Sequence, residues 1–125
     1  MSWLLDSVIL IDHFNGIRPA TQLLAEHHAD CAVSAITRAE VLTGFDDQDA
    51  AAYGPARAPL DRFPTLVIDR EIADRAAILR REHGWKLPDA FQAALALYHG
   101  LRLVTRDDDF PPERHDFVLI PYRLG

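Results

Sequence analysis

Cysteine is almost missing from this 125-residue chain: Cys31 stands alone, so no internal disulfide can form. A single thiol suits a reducing compartment, and a buried apolar place at the start of a strand is its ordinary reading. Lysine is as scarce. Lys86 is the only one among 13 basic residues, the rest being arginine. Asp and Glu total 19, which leaves a net charge of −6. That balance argues against binding nucleic acid through a broadly basic surface. It does not exclude an enzyme acting on phosphate esters, because bound cations offset carboxylates where phosphate must sit. Long apolar runs are absent too, and none approaches the ~20 residues of a membrane-spanning helix. The apolar start, MSWLLDSVILID, is interrupted by Asp6 and Asp12 and lacks a basic segment and a small-residue cleavage site, so no secretory leader is expected. These absences predict a soluble cytoplasmic protein with no membrane association.

What is present suits one domain spanning residues 1–125. A chain of this length buries roughly two-thirds of its unfolded surface, enough to fold without disulfide or structural zinc. There are no repeats and no low-complexity tract. Trp3-Leu4-Leu5 reads as a buried strand leading into a turn and a short helix. Residues 20–29 carry Leu23, Leu24 and His27 at helical spacing, and CAVS (31–34) is a second strand. Residues 35–45 read as a helix with Ile36, Ala39 and Leu42–Thr43 on one side, ended by Gly44. Gly54, Pro55 and Pro59 in the stretch 46–59 predict a break or loop. TLVI (65–68) is a third strand, after which Asp69 caps a helix with Ile72, Ala76 and Leu79 inward, ending near Gly84. The clearest helix is 88–99, with Pro88 in its first turn, an apolar stripe of Leu87, Phe91, Ala94, Leu95 and Tyr98, and Gly100 at its end. LRLVT (101–105) and FVLI (117–120) complete five strands. Alternation of strands and helices predicts an α/β fold, a parallel sheet covered on both faces. Ligands of such sheets bind beyond the carboxyl ends of the strands.

Acidic residues gather where that rule points. Asp6 ends the first strand, Asp89 opens the strongest helix, and Asp107, Asp108 and Asp109 follow the fourth strand. Glu40 lies one turn into the helix after the second strand. Each has a bland structural reading: a helix cap for Asp6, a solvated face near Arg38 for Glu40, a favourable helix dipole for Asp89, a solvated turn for the Asp run. Their shared place on one rim favours a common role. Converging carboxylates repel and raise one another's pKa, and a hard divalent cation is the simplest compensation. Oxygen-only ligation suits Mg²⁺ or Mn²⁺, ions that activate water and offset phosphoryl charge. Zinc is disfavoured because no His or Cys stands at ligand spacing.

At these residues the chain resembles the PIN-domain ribonucleases, specifically the VapC toxins of bacterial toxin–antitoxin pairs. LLDSVILID, SAITRAEVLTG, KLPDAFQAALAL and LVTRDDDF before a final FVLIP match that family's segments in order, over nearly the whole chain. The resemblance implies a three-layer α/β/α sandwich with a five-stranded parallel sheet. It implies Mg²⁺ or Mn²⁺ held at a site of Asp6, Glu40, Asp89 and Asp107, with Asp6 and Asp89 foremost as ligands and Glu40 completing the site or orienting water. Asp107 matches a position that varies between Asp and Asn, and Asp109 is its substitute; Asp108 is expected to face solvent. Ser7 and Thr105 are candidates for orienting carboxylates or phosphate, and Arg106 for contacting RNA or solvating the turn. The implied reaction is hydrolysis of RNA phosphodiesters. The implied partners are a second copy of the chain and a VapB-like antitoxin, whose tail covers the acidic groove.

The leading alternative is a catalytically inactive PIN-like or receiver-like regulatory module. A receiver needs paired acids after the first strand and a lysine after a late one, but Ser7 follows Asp6 and Lys86 precedes a helix. A haloacid-type phosphatase needs an Asp where Val8 stands, and a calcium loop at Asp46–Asp49 lacks the spacing and the glycine.

Overall fold

The computed structural model describes residues 1–46 and 48–124. Its strands are short: β1 (Trp3–Leu5), β2 (Cys31–Ser34), β3 (Thr65–Leu66), β4 (Arg102–Val104) and β5 (Val118–Leu119). Between them run α1 (Ser7–Phe14), α2 (Arg18–His27), α3 (Ala35–Thr43), α4 (Ala50–Leu60), α5 (Arg70–His83) and α6 (Leu87–His99). All pairings are parallel and the spatial order is β3-β2-β1-β4-β5. The chain builds outward from β1 on one side through β2 and β3, then returns to the other side with β4 and β5. Strand order therefore reverses between β1 and β4, and the crevice beyond their carboxyl ends is the favoured ligand position.

The period-2 alternation of strands divides the core in two. Leu4, Leu103 and Val118 pack against Ile72, Ala76, Ala90 and Ala94 of α5 and α6 on one face. Leu5, Val33 and Val104 pack against Ile9, Leu10, Val41 and Leu60 of α1, α3 and α4 on the other. This is the α/β/α sandwich. Cys31 lies in the second core, its thiol donating to the His27 carbonyl at 3.2 Å. Burial pushes that thiol up to about 11, so it stays protonated. No helix among the described residues is long and apolar enough to cross a membrane.

Three local expectations need correcting. The 46–59 stretch, apart from Asp47, which lies outside the described residues, is mostly helix: α4 contains both Pro55 and Pro59. Asp49 caps it by accepting from the Ala51 N–H, and Ala56 and Leu60 are buried, so tertiary packing outweighs the bonds the prolines remove. The inner face of α3 carries Thr37 and Val41, while Ala39 and Thr43 are exposed. On α6 the apolar stripe is displaced: Leu87 and Tyr98 are exposed, and Ala90, Gln92, Ala93, Ala94, Leu95 and Ala96 are buried. That helix packs against the sheet and α5 at once, and alanines permit the close approach. Gly84 and Gly100 end α5 and α6 in the left-handed conformation, at φ of 70° and 65°, which suits glycine at this position.

Candidate active site

Asp6 occupies the centre of the rim. Its N–H bonds to the Val104 carbonyl at 2.9 Å, so the β1–β4 ladder itself fixes its backbone. It caps α1, but its carboxylate does more than cap. It accepts from the Ser7 N–H at 2.9 Å, from Gln92 Nε2 at 3.1 Å and from Thr105 Oγ1 at 2.8 Å. Three donors favour the charged form, yet burial outweighs them and the pKa is raised.

Thr105, fully buried at the end of β4, links two acids. Its hydroxyl donates to Asp6 and accepts from the Asp107 N–H at 3.0 Å. These are the contacts of a side chain that orients carboxylates. The Asp107 carboxylate then accepts from the Asp109 N–H at 3.2 Å, which folds the turn back. Asp89, in the first turn of α6, is half-buried and faces this turn. One oxygen from each of Asp89, Asp107 and Asp109 lies within 4.8 Å of the others. Burial, then the charges of Asp6, Asp107 and Asp109, push Asp89 up to about 7. Both Asp107 and Asp109 thus join the cluster, whereas Asp108 faces solvent with its side chain 98% exposed.

Glu40 approaches from α3. It sits at an exposed position, but the neighbouring protein still partly desolvates its carboxyl; that and the charge of Asp6 raise its pKa. The nearby Ser7 hydroxyl opposes that rise. Arg38 is not its partner, pairing instead with Asp61 at 2.7 Å. Among the described residues, no Lys or Arg forms an ion pair with Asp6, Glu40, Asp89, Asp107 or Asp109.

Arg106 has a partner within the chain. Its Nε and Nη2 grip the carboxylate of Asp12 at 2.6 and 2.8 Å, and Tyr122 donates to the same group at 2.8 Å. Asp12 is 5% exposed, and the Arg106 guanidinium holds its carboxyl below the usual range. The pair ties the turn after β4 to α1, and so to the helix that begins at Asp6.

Gln92 was not singled out by sequence. It lies one turn beyond Asp89 on α6, is 1% exposed, and bridges Asp6 to Thr37 Oγ1 at 2.6 Å. Its Oε1 has no partner among the described residues. A polar residue inside an alanine-rich helical face was the signal available.

The comparisons bear on the family and the fold. A family model for the PIN domain matches residues 3–112. Among solved structures, a toxin–antitoxin complex from Klebsiella pneumoniae is similar at a TM-score of 0.85 and 38% identity, covering 98% of this chain and 100% of that one. FitAcB from Neisseria gonorrhoeae is similar at 0.76 and 22% identity, over 98% of this chain and 99% of that one. VapBC2 from Rickettsia felis, bound to a DNA fragment from its promoter, is similar at 0.70 and 18% identity, over 95% and 96%. These last two speak to the fold alone. No curated protein matches the chain.

Proposed function

The chain belongs to the PIN-domain family, and from that premise we propose that it is a divalent-metal-dependent endoribonuclease, the toxin of a VapBC-type pair. PIN domains are generally nucleases that use a divalent metal. One observation carries the reading. Carboxylates from α6 and the turn after β4, Asp89, Asp107 and Asp109, converge on the rim of the sheet, with Asp6 beside them after β1 and no Lys or Arg ion-paired to any of the four among the described residues. The donor set is oxygen only, which fits a hard cation. Asp6, Asp89 and Asp107 would hold Mg²⁺ or Mn²⁺, with Asp109 able to share the turn's contribution and Glu40 completing the site. Bound there, the ion supplies Lewis acidity toward water and phosphate oxygen.

The chain's own residues do the positioning. Thr105, Gln92 and the Ser7 N–H hold Asp6 in one orientation, so little reorganisation accompanies substrate binding. Thr105 carries that order on to Asp107. Glu40, close enough to Asp6 to feel its charge, is suited to orient the attacking water. Hydrolysis of an RNA phosphodiester is the reaction this arrangement serves.

Residues 1–125 act as one domain in this reading, in the cytoplasm. A VapB-like antitoxin covers the groove, and an antitoxin Arg reaching the carboxylates would replace the cation's charge; a second copy of the chain completes the assembly. The toxin–antitoxin complex at 38% identity over the full length supports the partnership. The test is cleavage-site mapping on total cellular RNA with wild type, Asp6→Asn and Asp89→Asn side by side. Wild type should cut at defined sites with Mg²⁺ or Mn²⁺ and stop with EDTA, and both variants should be folded and inert. Equal cutting by both variants would refute the site, and no cutting by wild type would leave an inactive PIN-like binding module.

A further inference from the structure

Beyond Asp109 the acidic rim opens into a cavity of about 610 Å³, within the ~300–1,000 Å³ range of sites that enclose small organic groups. Rings and cations line it, His83, Trp85 and His115 with Lys86 and Arg114, and Asp108 and Asp109 stand beside them. The rings form one cluster. His83 stacks on Trp85 with centroids 4.2 Å apart and planes at 19°. His115 meets both, at 5.2 and 5.1 Å. Trp85 is rigid, because its Nε1 donates to the Asp109 carbonyl at 3.1 Å, Arg80 donates to its own carbonyl at 2.8 Å, and buried Phe110 lies 5.0 Å away. The same tryptophan therefore floors the cavity and fixes the backbone of a residue in the acidic cluster. His83 above it is exposed. Lys86 and Arg114 are exposed as well, and neither forms an ion pair among the described residues. In a chain of net charge −6, two uncommitted cations beside a carboxylate cluster are hard to explain as solubility.

We propose that this cavity is a nucleotide subsite. It takes one unpaired base of single-stranded RNA, flanking the scissile phosphate, on the His83–Trp85 platform, and Lys86 and Arg114 hold that nucleotide's phosphate. Stacking tolerates any base, and charge tracks the backbone. The subsite rests on the ribonuclease reading, since it gives the acidic cluster the grip on RNA that carboxylates cannot provide. An antitoxin peptide is the competing occupant. The rings and free cations favour RNA over it, because a peptide covering an acidic groove would bring its own cations.

The experiment uses an oligoribonucleotide containing one mapped cleavage site, with each flanking nucleotide made abasic in turn. For wild type, KM should rise about tenfold at one flanking position with kcat little changed, within the range measured for stacked bases. In His83→Ala that positional effect should vanish. Lys86→Ala or Arg114→Ala should flatten the salt dependence of kcat/KM by about 0.7 log unit per log unit of salt, the value for one phosphate contact to a single strand. Wild-type KM values in all three variants would overturn the subsite. So would unchanged RNA kinetics with weakened inhibition by an antitoxin peptide, which would make the cavity a protein-docking site. Binding of a single-stranded oligoribonucleotide of mixed sequence to Asp6→Asn, with and without His83→Ala, separates the two readings. A tenfold loss of affinity on adding His83→Ala supports the subsite even if wild type cleaves nothing, whereas equal affinity overturns it even if wild type cleaves.

Discussion

Replacing Arg106 by alanine removes both charge-assisted bonds to Asp12, at 2.6 and 2.8 Å, and leaves a carboxylate that is 5% exposed with Tyr122 as its remaining donor. Removing one partner from a fully buried pair costs about 3–5 kcal/mol. Arg106 is 30% exposed and Tyr122 still donates, so about 2–3 kcal/mol is the expectation here. Urea unfolding followed by circular dichroism should show a lower midpoint with an unchanged slope. Adding Asp12→Ala should recover part of the loss, because no uncompensated charge then remains. The pair has a pH signature as well. Asp12 is held below its ordinary pKa, so the native state binds fewer protons there than the unfolded chain. The stabilisation is complete above the unfolded carboxyl value of about 3.9 and is lost as pH falls through the lower folded value. Arg106→Ala should flatten that acid limb. A loss below about 1 kcal/mol, or a double variant as unstable as the two singles summed, would refute the reasoning.

Asp89 should behave in the opposite sense. Its pKa of about 7 lies above the unfolded value, so in EDTA the folded state binds the extra proton and stability should fall as pH rises from about 4 to about 7. Mg²⁺ should then raise Tm more at pH 8 than at pH 6, and a Tm that climbs through this window in EDTA would contradict the charge balance. Thr105→Val should lose the hydroxyl that serves both Asp6 and Asp107, lowering stability by about 1–2 kcal/mol and cleavage by more than the loss of folded protein accounts for. Cleavage unchanged at equal folded concentration would show that Thr105 does not position the acids.

Much of the fold was legible because each level of the sequence agrees. CAVS is a strand to the residue, Asp69 caps α5 and Gly100 ends α6. β1 is likewise Trp3–Leu5 as read, whereas β3, β4 and β5 are shorter than their apolar runs. Helical faces were harder. Periodicity sees one buried stripe, but α6 is buried on several sides and α3 buries a threonine for its hydrogen bonds. Among the candidate site residues, Asp6, Asp89 and Asp107 were visible because a charge beside an apolar run is conspicuous. Gln92 and Asp12 were not. Gln92 acts only through contacts 86 and 55 residues distant in sequence, and Asp12 through a pair with Arg106 that no local spacing reveals.

The central claim is that these carboxylates form one cation site, and a crystal of the protein soaked in Mn²⁺ tests it most directly through the anomalous scattering of the metal. The account predicts a peak bounded by Asp6, Asp89 and the Asp107–Asp109 turn, lost in Asp6→Asn and Asp89→Asn. Manganese bound elsewhere, or bound there with equal occupancy in both variants, would contradict it.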